Sequence, residues 1–145
     1  LSALLNPAVE ELALSKDTYF INVTDAEIES VISKEPYWFR TAVPAGTYKG
    51  QDNDVTIPTH MEGVYVKHDF NEEMAYDMVK ALYENYEEFS AFHATIRYFS
   101  LEDAVSITRI YHPFNPGCIK YYKEKGIWTD EHEAKQQQLL QEAGL

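Results

Sequence analysis

The segment that most constrains the fold is a loop from Val43 to Asp54, with the sequence Val-Pro-Ala-Gly-Thr-Tyr-Lys-Gly-Gln-Asp-Asn-Asp. Pro44 fixes its own backbone φ, and Gly46 and Gly50 give access to conformations that other residues rarely adopt. The backbone is therefore expected to turn twice within a few residues. We expect Tyr48 to be exposed at the tip of this loop, because such loops carry binding residues more often than core residues.

Charge and composition exclude several classes of protein. The 145 residues contain 12 Lys and Arg against 24 Asp and Glu, a net charge of −12 without a basic cluster, so nucleic acid is not an expected partner. Two interpretations of the acidic residues stay open, a solvated surface and an acidic face that docks a basic partner. The single cysteine rules out a disulfide framework within the chain, and no apolar run approaches the ~20 residues that cross a bilayer.

The first part of the chain alternates between helical and extended patterns. Asn6 is suited to cap a helix that begins at Pro7, since proline is favoured at the first helical position. Thr24 and Glu27 have the spacing of a capping box for a second helix. The predicted elements are a helix to about Ser15, a strand over Thr18–Val23, a helix over Asp25–Glu35, and extended segments over Trp38–Val43, Val55–Pro58 and Gly63–Lys67.

Helical patterns dominate the rest of the chain. Asn71 is suited to cap a long helix from Glu72 to about Phe89, whose predicted inner stripe contains Ala75, Met78, Leu82, Asn85 or Tyr86, and Phe89. Three further helices are predicted, and the last is expected on the surface or against a second chain. They are Leu101–Ile107 after Ser100, a helix from Asn115-Pro116 that Gly126 ends, and Asp130–Ala143 after Thr129.

The sequence contains no recognisable catalytic or metal-binding signature. The five histidines lack helical i, i+4 spacing and zinc-type clustering, so no metal is expected. Cys118 lies near a helix start that could activate a thiol, but no base is identifiable beside it, which favours a packing role. Nucleophile-elbow and phosphate-loop patterns are missing. We therefore expect neither an enzyme nor a bound cofactor.

Arg40 is the most interesting of the three arginines, which also include Arg97 and Arg109. A guanidinium group binds a carboxylate through two parallel hydrogen bonds, and Arg40 stands just before the glycine-containing loop. It is therefore a candidate clamp for a small carboxylate. The alternative is a surface ion pair in an acidic protein, and both interpretations stay open.

Four segments in order give the chain a family resemblance. They are Asn6–Ala13, Val43–Asp54, Met74–Glu84 and His112–Trp128, and the loop and the run Tyr-Tyr-Lys-Glu-Lys-Gly at 121–126 are the most specific. Together they span about Leu5 to Trp128. On these segments the chain resembles the C-terminal half of a TAXI-family TRAP transporter solute-binding protein.

The resemblance implies an α/β fold that is part of a type II periplasmic-binding-protein fold. By this analogy residues 1–55 are the remainder of the second lobe. Residues 56–112 contain a hinge crossing and a segment of the first lobe, and residues 113–145 are C-terminal helices that pack on that lobe. The N-terminal half of such a protein would lie upstream of Leu1, and sequence upstream of this residue would test that expectation.

The implied function is capture of a small organic acid or amino acid, similar to glutamate or 2-oxoglutarate, in the periplasm or another extracytoplasmic space. A membrane permease would receive the solute. The alternative is a stand-alone regulatory or sensory module of the same fold. The candidate ligand contacts are Ser2, Asn6, Arg40, Tyr48 and Thr59. Because a fragment would expose apolar faces of the helix from Glu72, we also expect a possible homodimer.

Overall fold

The computed structural model describes residues 6–35, 37–60, 63–92, 96 and 99–145. It divides the chain into two compact units, Leu1–Gly63 and Val64–Leu145, each with its own buried cluster. The boundaries predicted at residues 55 and 112 refer to lobes of a larger protein, so they stay predictions. Helices and a small sheet together make the fold mixed α/β.

In the first unit, two helices accompany a two-stranded antiparallel ribbon. The helices are α1 (Pro7–Ser15) and α2 (Asp25–Ile32), and the strands are β1 (Trp38–Val43) and β2 (Val55–His60). The register places Val43 opposite Val55 and Trp38 opposite His60. The prediction for β1 is confirmed, and β2 runs two residues further than the extended segment predicted to end at Pro58.

The two faces of the ribbon meet different partners. Val43 and Ile57 share one face and pack with Ala13 of α1. Arg40 lies three residues before Val43, so its side chain projects from the other face. It reaches Asp25 and Glu29 of α2, which shows that α2 lies on that side.

Local capping signals predict both helix starts correctly. The Asn6 side chain accepts hydrogen bonds from the Ala8 and Val9 N–H groups at 3.0 and 3.4 Å. The Thr24 hydroxyl accepts from the Glu27 N–H at 3.3 Å, and the Glu27 carboxylate accepts from the Thr24 N–H at 2.8 Å. These bonds satisfy donors that have no partner inside the helix. However, α2 ends at Ile32, earlier than the predicted Glu35.

The predicted strand over Thr18–Val23 is wrong. No strand forms in this described segment, and Tyr19 and Ile21 are 90% and 78% exposed. Aromatic and β-branched residues favour a strand only where a neighbouring strand and a packed face receive them. Phe20 instead turns inward and stacks on Tyr48. The segment 63–67, predicted to be extended, is likewise not part of a strand.

The described residues of the second unit form helices joined by loops, and no strand. Its helices are α3 (Glu72–Glu84), α4 (Tyr86–Phe92), α5 (Leu101–Ala104), α6 (Pro116–Glu124) and α7 (Asp130–Ala143), with a 3₁₀ turn at Ile107–Arg109. The long helix predicted from Glu72 is interrupted at Asn85, whose side-chain amide donates to the Ala81 carbonyl at 2.8 Å. Such a bond offers the backbone carbonyl an alternative partner. The helix predicted over Leu101–Ile107 also ends early, at Ala104.

An aromatic cluster forms the core of this unit. Val105, Tyr121 and Tyr122 are its buried centre, and residues from α3, α6 and the following segment pack around them, including Tyr76, Val79, Tyr83, Phe114 and Trp128. The Tyr76 hydroxyl donates to Glu124 at 2.7 Å and so links α3 to α6, and this bond raises the pKa of Tyr76 to about 12.

The predicted inner stripe of the Glu72 helix is only partly correct. Ala75 is buried, but Met78 and Phe89 are exposed, and Tyr76, Val79 and Tyr83 face the core instead. Most residues of α7 are exposed or half-buried, as its expected surface position requires, but one side of the helix packs inward. Gln136 and Leu139 are buried, and the Gln136 amide bonds the N–H and the C=O of Phe114 at 2.8 and 3.0 Å.

Close contact between the first turns of α3 and α6 explains the orientation of α3. A Cβ atom on Gly117 would overlap the Glu72 carbonyl oxygen and lie 2.8 Å from the Tyr76 backbone nitrogen. Only glycine allows this approach. The approach turns the side of α3 that contains Tyr76 and Val79 towards α6, which hydrophobic periodicity alone does not reveal.

We expect Gly117→Ala to destabilise the protein, although alanine is favoured over glycine by ~1 kcal/mol in a helix interior. Overpacking of this kind typically costs about 1–3 kcal/mol, and here the obstacle is backbone. Urea denaturation followed by circular dichroism measures the change. The control is Ala134→Gly, at an exposed position inside α7, which measures the difference in helix propensity between the two residues. A free energy of unfolding that stays the same or rises in Gly117→Ala would contradict the contact.

Candidate functional site

The Val43–Asp54 loop joins the two strands and is held from inside by Gln51. This side chain is buried, and its amide nitrogen donates to the carbonyls of Val43, Pro44 and Asn53 at 2.9, 2.9 and 3.1 Å. Its amide oxygen accepts from the Tyr48 N–H at 3.3 Å. Gln51 therefore satisfies backbone groups that the tight turns direct inward.

The two glycines confirm the predicted double turn. Gly46 and Gly50 have φ angles of 76° and 81°, a region that disfavours side chains. The Gly46 N–H donates to the Gln51 carbonyl at 2.8 Å, and the Ala45 N–H donates to the Asp54 carboxylate at 2.8 Å. The loop is therefore cross-linked within itself and presents a defined shape.

Tyr48 is not exposed at the loop tip, so this part of the prediction is wrong. The residue is only 8% exposed, and its ring stacks on Phe20 with the centroids 5.5 Å apart. The aromatic ring gains apolar contact in the cluster with Ala13 and Val43, while its polar hydroxyl still finds a hydrogen-bond partner. That partner is the Asn6 backbone N–H, 2.8 Å away at the start of α1.

The structure thus brings together Asn6 and Tyr48, two of the five candidate ligand contacts. These hydrogen bonds are structural, because the Asn6 side chain caps α1 and the Tyr48 hydroxyl accepts the Asn6 N–H. Thr59 is buried in β2 opposite Phe39 and projects from the face of the ribbon opposite to Arg40. Ser2 lies outside the described residues. The ligand roles of all these residues stay predictions.

Arg40 forms an ion-pair network with α2. Its Nη1 lies 2.7 Å from an Asp25 carboxylate oxygen, and its Nε and Nη2 lie 3.1 and 3.0 Å from one Glu29 carboxylate oxygen. Nη2 also contacts the Asp25 carbonyl at 3.4 Å. The hydrogen bond to Asp25, followed by that to Glu29, raises the pKa of Arg40.

These contacts limit what Arg40 can offer a solute. A guanidinium group has five N–H donors, and the network occupies four of them. A carboxylate bound through two parallel hydrogen bonds would therefore have to displace at least one contact to α2. The surface ion pair is what the structure shows, and the clamp role requires that pair to open.

Two open grooves lie in the second unit, and their linings include none of the five candidate contacts. The larger has a volume of about 660 Å³ between α6 and α7, and its lining includes Ile119, Lys120, Lys123, Glu133, Gln136 and Leu140. Lys123 and Glu133 pair across it at 2.9 Å. The other, of about 610 Å³, lies at the starts of α3 and α6. Lys123 is thus already engaged with a carboxylate.

The described part of the chain offers neither a metal-binding cluster nor a membrane-spanning helix. No cluster of three or more His, Cys, Asp or Glu side chains there could hold an ion. None of the helices formed by those residues has the length and apolar character needed to span a bilayer.

Cys118 lies within the aromatic core, half-buried beside Tyr83 and Tyr122. Burial raises the pKa of its thiol, and burial also raises the pKa of Tyr83 to about 12. A raised thiol pKa lowers the population of the nucleophilic thiolate at neutral pH. The environment therefore favours the packing role predicted for this residue.

Sequence reasoning missed Gln51 and Gln136, the two buried glutamines. Gln51 follows directly after Gly50, in a tight turn that leaves carbonyls without helical or strand partners. This position could have predicted that its amide would bond those carbonyls. Gln136 gave no comparable signal, because its partner Phe114 is 22 residues away in the chain.

We expect Tyr48→Phe to lower the free energy of unfolding by about 1–2 kcal/mol, because it leaves the Asn6 N–H without this acceptor. Urea denaturation measures the loss. Tyr19→Phe provides the matched control, since Tyr19 is 90% exposed and the same atom is removed. Equal effects of the two substitutions would mean that the bond between Tyr48 and Asn6 adds no stability.

We expect Cys118 to react with iodoacetamide more slowly than a free cysteine at pH 8, since both burial and the raised pKa oppose attack. Mass spectrometry follows the modification. The same chain in 8 M urea is the control and should react at the rate of a free thiol. A native rate above that of free cysteine would instead support a nucleophilic role.

Comparison with known families agrees with the solute-binding interpretation at a general level. A sequence model of the NMT1-like family matches residues 1–126, which include all of the first unit and most of the second. The mixed α/β elements are consistent with the periplasmic-binding-protein-like fold of this family. The match also indicates a function of solute-binding type. The chain belongs to the NMT1-like family.

Proposed function

We propose that the chain is the C-terminal half of a TAXI-family solute-binding protein of a TRAP-type transporter. In this role it helps to capture a small organic acid or amino acid, such as glutamate or 2-oxoglutarate, and to deliver it to a membrane permease. The observation that carries the proposal is the NMT1-like family match over residues 1–126.

The finer assignment draws support from the loop and from the ordered segments of the sequence. The loop Val43–Asp54 keeps a fixed shape through Gln51 and its two glycines, and a binding protein needs such positioned loops. The run at 121–126 belongs to α6 and its end, where Gly126 has a φ of 72°. Both specific parts of the resemblance are therefore ordered structural elements.

The proposed activity requires no covalent chemistry. A solute-binding protein works through a cleft, a few polar contacts and a conformational change that depends on the ligand. Cys118, the one nucleophile that the sequence suggested, lies in an environment that disfavours its thiolate. We propose that the protein is not an enzyme, that it uses no cofactor, and that it acts in the periplasm or another extracytoplasmic space.

Arg40 is the residue that we propose for the solute carboxylate. It stands three residues before the loop, and its partners Asp25 and Glu29 are exposed carboxylates that water can solvate when the pair opens. Exposed ion pairs contribute only about 0–1 kcal/mol each, so an incoming carboxylate faces a small cost. Asp25 or Glu29 would then be available for the ammonium group of an amino acid.

We expect isothermal titration to show saturable binding of a small dicarboxylate or amino acid. The samples are the 145-residue chain and the polypeptide extended by its native upstream sequence, titrated with the same panel of solutes. Because half of a bilobed protein supplies only part of the cleft, the extended polypeptide should bind at least tenfold more tightly. If neither sample binds any member of the panel, the proposed function is wrong.

The same titration tests Arg40. Arg40→Lys keeps the charge but removes the bidentate geometry, so Kd should rise about tenfold or more. Arg109→Lys is the matched control, because Arg109 also pairs with a carboxylate, that of Asp103 at 3.1 Å, in the other unit. If the two variants bind like the unmodified protein, the solute carboxylate has another partner.

A further inference from the structure

Helices α3 and α4 present an apolar surface that their own core does not use. We call Met74, Met78, Phe89 and Phe92 the outer stripe, and they are 54%, 47%, 38% and 75% exposed. The helix breaks between them at Asn85, and the bond from the Phe89 N–H to the Asn85 carbonyl, at 2.9 Å, is the first helical bond of α4. Met74 and Met78 lie four residues apart on α3, and Phe89 and Phe92 lie three residues apart on α4, so the members of each pair share one side of their helix.

The core of the second unit uses a different side of α3. Tyr76, Val79 and Tyr83 pack into the aromatic cluster, and Gly117 fixes that orientation. A helix that is exposed to solvent normally has one apolar side. The outer stripe is therefore a second apolar side, and its methionines and phenylalanines are residue types enriched in binding surfaces.

Carboxylates border the outer stripe along one edge. Glu73, Asp77 and Glu84 lie at helical spacing on α3, and Glu88 lies on α4; Glu73, Asp77 and Glu88 each directly precede a stripe residue in the chain. Glu84 lies 3.6 Å from Lys125, but among the described residues no ion pair involves Glu73, Asp77 or Glu88. Residues 72–92 contain six acidic residues and only one lysine, Lys80.

We propose that the outer stripe and its acidic edge bind a cationic amphipathic helix of a partner protein. The apolar side of such a helix would cover the methionines and phenylalanines, while its lysines or arginines would meet Glu73, Asp77 and Glu88. This is the helix-in-groove type of recognition, with charge complementarity along one edge.

The charge pattern selects this occupant over two others. A second copy would bring its own acidic edge and a net charge of −12, so the two edges would repel each other. An anionic lipid surface would be repelled for the same reason. A cationic helix is attracted by the edge and gains apolar contact from the stripe.

The probe is a synthetic amphipathic helix of about five turns, with leucine on one side and lysine on the flanks, labelled for fluorescence anisotropy. We expect saturable 1:1 binding to the full 145-residue chain, weakened by added salt as surface electrostatics require. The control peptide replaces every lysine by glutamate and should bind at least tenfold more weakly. Equal binding of the two peptides would overturn the proposal.

Two double variants separate the apolar and the electrostatic contributions to probe binding. Met78→Gln with Phe92→Gln should weaken probe binding about tenfold, and Asp77→Lys with Glu88→Lys about fivefold or more. Glu10→Lys with Glu11→Lys, on exposed positions of α1, is the matched control for charge and should have a smaller effect. If the control variant weakens binding as much as Asp77→Lys with Glu88→Lys, the attraction is general and the proposal is wrong.

The same variants also test the two other occupants, a second copy of the chain and an anionic lipid surface. Analytical ultracentrifugation should show a monomer, and flotation with vesicles that contain phosphatidylserine should leave the chain unbound. A dimer that Met78→Gln with Phe92→Gln dissociates would assign the stripe to a second copy, and vesicle binding lost in that variant would assign it to lipid. Either result would replace the cationic helix. Circular dichroism checks that each variant keeps its helices.

Discussion

Close approach of two helix backbones at Gly117 is the contact on which the second unit depends. The first turns of α3 and α6 touch there without an intervening side chain. This contact fixes which side of α3 faces the aromatic core, and it brings the Tyr76 hydroxyl within 2.7 Å of Glu124. One missing Cβ therefore decides both what the unit buries and what it leaves on its surface.

The first unit depends on buried hydrogen bonds in place of a close backbone approach. Gln51 satisfies loop carbonyls from inside, and the Tyr48 hydroxyl accepts the N–H of Asn6 at the start of α1. Buried polar groups must find partners, because an unsatisfied one costs about 1–3 kcal/mol. The double turn of the loop, its inward tyrosine and the position of α1 are thus coupled to each other.

Local signals were sufficient to predict the helix starts but not the tertiary contacts. Asn6, Thr24 and Asn115 act as predicted, since a cap involves neighbours within about three residues. Tyr48 was misplaced because its partners Asn6 and Phe20 are distant in the chain. The strand predicted at Thr18–Val23 failed for a similar reason, because strand propensity has an effect only where another strand is present. Of the candidate site, the sequence predicted the turned loop but not the buried glutamine that holds it.

One side of α3 packs in the core of the second unit, and the other side is exposed and open to recognition by a partner. The side that meets α6 cannot change without disturbing Gly117 and the tyrosines, whereas Met74 and Met78 on the outer stripe have no such role in the core. Exposed apolar side chains beside unpaired carboxylates add little to stability. Their arrangement becomes favourable only if a partner covers the apolar atoms and neutralises the charges. An acidic surface that merely kept the protein in solution would have no need of methionine and phenylalanine along its edge, and so the pattern favours a docking face over a purely solvated one.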